Sequence, residues 1–184
     1  MRIAVDLDGV LADTMVTWCR ILNSKRSMNV TVDSLVKWRA WEIAHVSKDE
    51  FYRILDKSWY EWENIPPTEE DLGRKVGRLS QFGLVDIVTG RSKETIRFAR
   101  SWLKKYEIRY DSFVRTQSTN AKAELDYDLF IDDSPDLMPL VASKVDGWAI
   151  LYTRPWNRDA SLLPRVFRAD KWDEIPKLVE RIPL

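Results

Sequence analysis

The sequence predicts an α/β fold: a Rossmann-like three-layer α/β/α domain with a mostly parallel sheet, interrupted after its first strand by a small helical cap. Two observations predict it. From Thr68 onward short apolar runs alternate with helical patterns, as expected of parallel strands joined by crossover helices and buried on both faces. Residues 13–65, by contrast, carry helical periodicity and no convincing strand, so they read as an insertion. The core domain is then residues 1–12 plus 66–184, and the cap is residues 13–65.

The elements follow in order. Arg2–Val5 reads as a short buried strand ending at Asp6. After Asp13, a helix N-cap, residues Met15, Trp18, Cys19 and Leu22 recur at helical spacing. Helical patterns follow at Asp33–Ile43 and Ser47–Leu55, the second opened by the capping box Ser47-x-x-Glu50. Pro66-Pro67 ends the insertion, because neither residue can continue a helix or donate to a ladder. Thr68–Phe82 is an amphipathic helix and Leu84–Val88 an apolar strand. Ser92–Tyr106 is a second amphipathic helix, with Ile96, Ala99, Leu103 and Tyr106 on one face. Strands are expected near Ser112–Arg115, Tyr127–Ile131 and Trp148–Tyr152, with a helix near Pro135–Lys144 and a last one from Trp172 to Arg181.

Composition narrows the function. The 184 residues carry 29 basic and 29 acidic side chains, so no general polyanion surface is indicated and a nucleic-acid polymer is not the expected partner. No stretch resembles a signal peptide or a membrane span, and a membrane partner is not expected. The single cysteine, Cys19, excludes an internal disulfide and fits a reducing, cytoplasmic setting. Nine tryptophans are unusual for this length, and Trp18, Trp38, Trp41, Trp59 and Trp62 all fall in the first third.

The residues that carry chemistry sit just after expected strands: Asp6, Asp8, Thr89 and the pair Asp132–Asp133. In open parallel sheets ligands bind at the carboxyl ends of the strands, so these positions converge on one cleft. Carboxylates crowded there repel one another, an arrangement tolerated mainly around a hard cation such as Mg²⁺. The ion and a bound phosphate together let a carboxylate approach phosphorus as nucleophile. A second carboxylic acid two residues on can protonate the leaving oxygen and later activate water. Thr89, with the amide of Gly90 beside it, can hold phosphoryl oxygens, and Lys122 is the candidate fixed ammonium.

Asp6-Leu-Asp-Gly-Val-Leu-Ala-Asp resembles the first motif of the haloacid dehalogenase superfamily. Val88-Thr-Gly-Arg resembles its second, Lys122 its third, and Asp128-Leu-Phe-Ile-Asp-Asp-Ser-Pro-Asp136 its fourth, in the superfamily's order. The resemblance implies Asp6 as nucleophile, Asp8 as general acid and base, and Thr89 and Lys122 as phosphate ligands. It implies Mg²⁺ held by the Asp6 carboxylate, the Asp8 main-chain carbonyl and the Asp132/Asp133 pair, and leaves open which of the pair binds directly. Within the superfamily the chain is most similar to the 5′(3′)-deoxyribonucleotidases and their prokaryotic relatives. The helical insertion, Ile65-Pro-Pro, the Tyr-Asp-Leu-Phe-Ile-Asp-Asp run and Leu151-Tyr-Thr-Arg-Pro-Trp-Asn157 carry that similarity. It implies a phosphomonoesterase acting on a small phosphorylated substrate, a nucleoside monophosphate first and another small phosphate ester second, beneath a C1-type cap that limits access.

Several residues have competing readings. Trp38, Trp41, Phe51, Trp59 and Trp62 are candidates for a base-stacking pocket, although a small cap also needs large side chains for its own core. Trp18 belongs with that core. Lys104 or Lys105 could stand in for Lys122. Asp136 reads as a first-turn acid, and His45 as a surface residue on a cap helix. Arg154, Trp156 and Asn157 are either structural or substrate contacts. A phosphorylated receiver domain is disfavoured, since receivers place the acidic pair first and the phosphorylated aspartate later. An idle phosphate-binding module would be favoured by loss of Asp8, which is present.

Overall fold

Alternation along the central strands fixes the layers. Ile3 and Val5, Leu129 and Ile131, and Ile150 and Tyr152 bury on one side. Their neighbours Ala4, Phe130, Ala149 and Leu151 bury on the other. A strand with both faces apolar must be covered twice. The computed structural model, which describes residues 1–183, has one sheet of six parallel strands: β1 (Arg2–Val5), β2 (Leu84–Thr89), β3 (Ser112–Arg115), β4 (Leu129–Asp132), β5 (Trp148–Tyr152) and β6 (Val166–Ala169). Their order is β3-β2-β1-β4-β5-β6. Ile3 is in register with Val85 on one side and Leu129 on the other.

The helices are α1 (Thr14–Arg26), α2 (Ala40–Ile43), α3 (Lys48–Tyr60), α4 (Leu72–Gly77), α5 (Ile96–Lys105), α6 (Thr119–Ala123), α7 (Leu137–Ala142) and α8 (Ile175–Val179). Helices α4, α5 and α8 contribute Val76, Trp102 and Ile175 to the Ile3 side of the sheet. Helices α6 and α7 contribute Ala123, Leu137 and Val141 to the Phe130 side. This is the expected three-layer arrangement. Among the described residues no helix is long and apolar enough to cross a membrane.

Helices α1, α2 and α3 make a separate apolar cluster with Trp18, Leu22, Leu35, Phe51 and Ile54 at its centre. The Trp18 indole donates to the Phe51 carbonyl at 3.0 Å. The segments leading in and out lie side by side: the Asp13 amide donates to Pro66 O and the Thr68 amide to Leu11 O. Two residues cross between the clusters. Trp59, near the end of α3, packs in the sheet core, and Trp156, after β5, packs with the α1–α3 cluster.

Several local expectations are corrected. Asp13 does hold the N-cap position of α1, but its side chain makes no cap hydrogen bond and pairs with Arg154. Ser47 does cap α3 by accepting the Glu50 amide, but the Glu50 carboxylate turns away to Lys25 and Arg26, so the box is half formed. Asp33–Ile43 is not one helix. A 3-10 turn at Val32–Ser34, closed by Thr31 and Ser34, precedes the four-residue α2. His45, just beyond α2, is left-handed at φ 51°. Thr68–Phe82 is helical only from Leu72, since Thr68 is held to Val10 and Leu11 and Asp71 is left-handed. The edge strand β6 and the short α6 were not expected; four or five residues of mixed polarity are too few for a period to show.

Phe130 is fully buried one strand position before Ile131 and packs edge-on to Tyr127 at 5.7 Å. Phe130→Ala is expected to lower stability by about 3–5 kcal/mol, read as a lower midpoint in urea denaturation. A loss under about 1 kcal/mol would show that this layer is not the packed core described.

Candidate active site

The strand order has a reversal. From β1 the chain moves outward to β2 and β3, then returns to β4 on the other side of β1. Connections diverge at that seam, so a crevice opens at the carboxyl ends of β1 and β4. Asp6 follows β1, Asp132 ends β4, and Asp133 comes next. The Asp6 amide donates to Ile131 O at 2.9 Å, which keeps the two strand ends in step.

Lys122 joins them. Ser118 caps α6 by accepting the Ala121 amide at 3.1 Å, and the short helix delivers Lys122 into the crevice. Its buried ammonium lies 2.6 Å from Asp6 Oδ1 and 2.6 Å from Asp132 Oδ2. Burial alone disfavours the ammonium charge, but Asp132 and Asp6 more than offset this and hold the Lys122 pKa above its ordinary value. Asp132 Oδ1 accepts the Ser134 amide at 2.8 Å.

Asp6, Asp132 and Asp133 each present one carboxylate oxygen, and these three oxygens lie within 4.8 Å of one another. Burial pushes the Asp6 carboxyl up to about 7; Lys122 opposes this, while the charges of Asp132 and Asp8 add to it. Asp133 is driven well above the usual carboxylate range, first by burial and then by Asp132 and Asp6. Gly9, at φ 80°, is required here on two counts. Its backbone is left-handed, and an added Cβ would overlap Asp133 Oδ2.

Asp8, two residues beyond Asp6, has two hydrogen-bond donors and one guanidinium around its carboxylate. Thr14 Oγ1 and Trp59 Nε1 donate to Oδ1 at 2.7 and 2.8 Å. Arg91 Nε lies 2.9 Å from Oδ2, an ion pair off the hydrogen-bond line. The Arg91 guanidinium also reaches the Leu55 carbonyl and Asp56 on α3. Thr89 is buried, and its hydroxyl accepts the Arg91 amide at 3.3 Å.

These groups line a cavity of about 360 Å³. Asp6, Asp8, Thr89, Gly90, Lys122, Asp132 and Asp133 are all on its wall, and Trp38, Trp41 and Phe51 line the same cavity. Trp38 also donates to Asp136 Oδ2 at 2.9 Å, so Asp136 links the insertion to the start of α7. Two aromatic candidates lie elsewhere. Trp59 is fully buried against Trp102 with its N–H spent on Asp8, and Trp62 packs on the sheet core beneath the Lys105 ammonium. Trp59 lies in the last turn of α3 and Trp62 in the 3-10 turn that follows it, and both pack into the sheet core. Neither Lys104 nor Lys105 reaches the cavity; Lys105 donates to Glu63 O.

The structure adds wall residues that the sequence reading did not assign: Thr14, Arg91, Tyr52 and Trp156. Arg91 lay within the Val88-Thr-Gly-Arg motif, which was the available signal. Tyr52 adjoins Phe51 on α3 and carried none. Trp156 was open between two roles; it lines the cavity and donates to Asp133 Oδ2 at 3.0 Å. Arg154 is structural, paired with Asp13 and stacked on the Trp156 ring.

The chain is 27% identical to a nucleotidase of Clostridium acetobutylicum, over 99% of this chain and 95% of that one. It is 22% identical to a 5′(3′)-deoxyribonucleotidase of Bacillus subtilis, over 95% and 96% of the two chains. A haloacid dehalogenase-like hydrolase from Streptococcus pneumoniae has the same fold, with a TM-score of 0.66 at 16% identity over 96% and 97% of the chains. The model of the family described as 5′ nucleotidase, deoxy (pyrimidine), cytosolic type C protein matches residues 1–182. With that match across nearly its whole length, the chain belongs to this family, and it is a phosphoric monoester hydrolase.

Proposed function

We propose that the chain is a Mg²⁺-dependent hydrolase of nucleoside monophosphates that passes the phosphoryl group through an aspartyl-phosphate on Asp6. The observation that carries this reading is one cavity lined both by the carboxylates and Lys122 and by the aromatic rings of Trp38, Trp41 and Phe51. The first matches a phosphoryl group, the second the flat face of a base, and about 360 Å³ suits a single small ligand. The names of the relatives support the same substrate class.

The donor set fits the cation. Three buried carboxylate oxygens within 4.8 Å, with no histidine or cysteine among them, suit a hard ion such as Mg²⁺. Burial first, and then the charges of neighbouring carboxylates, raise Asp6 and Asp133 above the usual carboxylate range. Asp6, the Asp8 main-chain carbonyl and the Asp132/Asp133 pair would hold it. When bound, the ion neutralises phosphate charge and polarises the phosphoryl oxygens.

The chain's own groups do the rest. Lys122 and the hydroxyl of Thr89, with the Gly90 amide, hold the phosphoryl oxygens while an Asp6 oxygen attacks phosphorus and the bond to the ester oxygen breaks. Asp8 gives its proton to that departing oxygen. It then takes a proton from the water that attacks the aspartyl-phosphate, which releases inorganic phosphate and restores Asp6. Thr14, Trp59 and Arg91 keep Asp8 in place for both transfers. Trp38, Trp41 and Phe51 stack on the base.

Asp6→Asn keeps the shape and deletes the nucleophile, so turnover is expected to vanish while circular dichroism and melting remain those of a folded protein. Activity near that of the wild type would exclude the role. Asp8→Asn is expected to slow turnover by about 10²–10⁴-fold in steady-state assays. A change of less than about tenfold would remove Asp8 from proton transfer. In a phosphate-release panel, nucleoside monophosphates are expected to react, and EDTA to stop the reaction until Mg²⁺ is restored. Turnover of a sugar phosphate with none on any nucleotide would replace the substrate class, and EDTA-resistant activity would remove the ion.

A further inference from the structure

We infer that Trp156 is a positioning residue for the Asp133 carboxylate, acting through its indole N–H, and that it thereby ties the cap to the metal-binding corner. The inference rests on the Mg²⁺ reading above.

Asp133 is fixed from three directions. Its Oδ2 accepts Trp156 Nε1 at 3.0 Å, its main-chain carbonyl accepts Asn157 Nδ2 at 2.8 Å, and Gly9 closes against Oδ2 from the first loop. Asp133 also offers one carboxylate oxygen to the cluster it forms with Asp6 and Asp132. An indole N–H donates and cannot accept, so it holds a carboxylate in one orientation without competing for the ion. Outer hydrogen bonds of this kind orient metal ligands, and their loss typically weakens metal affinity by about 10–100-fold.

The indole is itself locked. The Arg154 guanidinium lies 5.1 Å from the ring centroid and is anchored by Asp13 at the start of the insertion. Asn157 is held in turn, accepting the Arg154 amide at 2.9 Å and donating to Tyr152 O at 2.8 Å. The same Trp156 ring packs into the α1–α3 cluster and forms part of the cavity wall. One side chain thus touches the cap core, the substrate space and a metal-site carboxylate. A role in packing alone requires the ring but not its N–H.

Trp156→Phe separates the two roles, because it keeps an aromatic ring and deletes the donor. The test is Mg²⁺ titration of substrate-free protein by calorimetry and by thermal shift. The wild type is expected to bind Mg²⁺ and to melt at higher temperature with it. W156F is expected to melt near the wild type without metal and to bind Mg²⁺ at least about tenfold more weakly. Wild-type Mg²⁺ affinity in folded W156F would overturn the inference and leave the metal reading intact. A wild-type chain with no Mg²⁺ affinity would overturn the metal reading and this inference with it. Should W156F fail to fold, benzothienyl-alanine at position 156 replaces only the N–H by sulfur: weaker Mg²⁺ binding supports the inference, and unchanged binding overturns it.

Discussion

Three carboxylates and one ammonium, buried at the seam between β1 and β4, are the constraint around which this structure is arranged. Asp6, Asp132 and Asp133 cannot be brought within 4.8 Å of one another without a compensating charge. Lys122 supplies one within the protein, bridging Asp6 and Asp132 at 2.6 Å each. Nearly every nearby irregularity answers to that cluster. The left-handed glycine at position 9 lets the first loop pass Asp133, the short helix α6 exists to deliver Lys122, and the Arg154–Asn157 segment braces Asp133 from behind. Three buried carboxyl groups against one ammonium make a poor core but a suitable seat for a hard dication.

The insertion is coupled to that corner by specific bonds as well as by apolar contact. On one side Arg91 spans Asp8 and α3, on another Trp38 reaches Asp136, and between them Trp156 packs into the cap cluster. Trp59 goes further, crossing from a cap helix into the sheet core with its N–H on Asp8. In the proposed reaction, the position of the cap would therefore be felt by both the acid–base residue and the metal ligands.

The sheet and the charged corner were legible in the sequence, while the shape of the cap was not. Buried parallel strands are read locally as short apolar runs, and motif residues directly after them must gather at the strand ends, so Asp6, Asp8, Thr89 and the Asp132–Asp133 pair could be assigned to one rim, while Lys122 was expected there from the family resemblance. Aromatic side chains carry no such address. Trp41 and Trp59 look alike in sequence, yet one lines the cavity and the other is sealed against Trp102, because the choice depends on where α3 meets the core. Asp13 misled for a related reason. Its spacing before α1 fits an N-cap, but Arg154, some 140 positions away, competes for its carboxylate and wins with a full charge. The edge strand β6 escaped because four residues of mixed polarity, braced by Arg168 contacts to Asn157 and Ala160, show no period.

In the proposed reaction Asp6 becomes phosphorylated at this cluster. Borohydride reduces an acyl phosphate on aspartate to homoserine, so the most direct measurement is mass spectrometry of the peptide containing Asp6 after borohydride quenching during turnover. Homoserine is expected at position 6, appearing only when both substrate and Mg²⁺ are present. An unmodified Asp6 under those conditions, or a reduced residue at any other position, would contradict it.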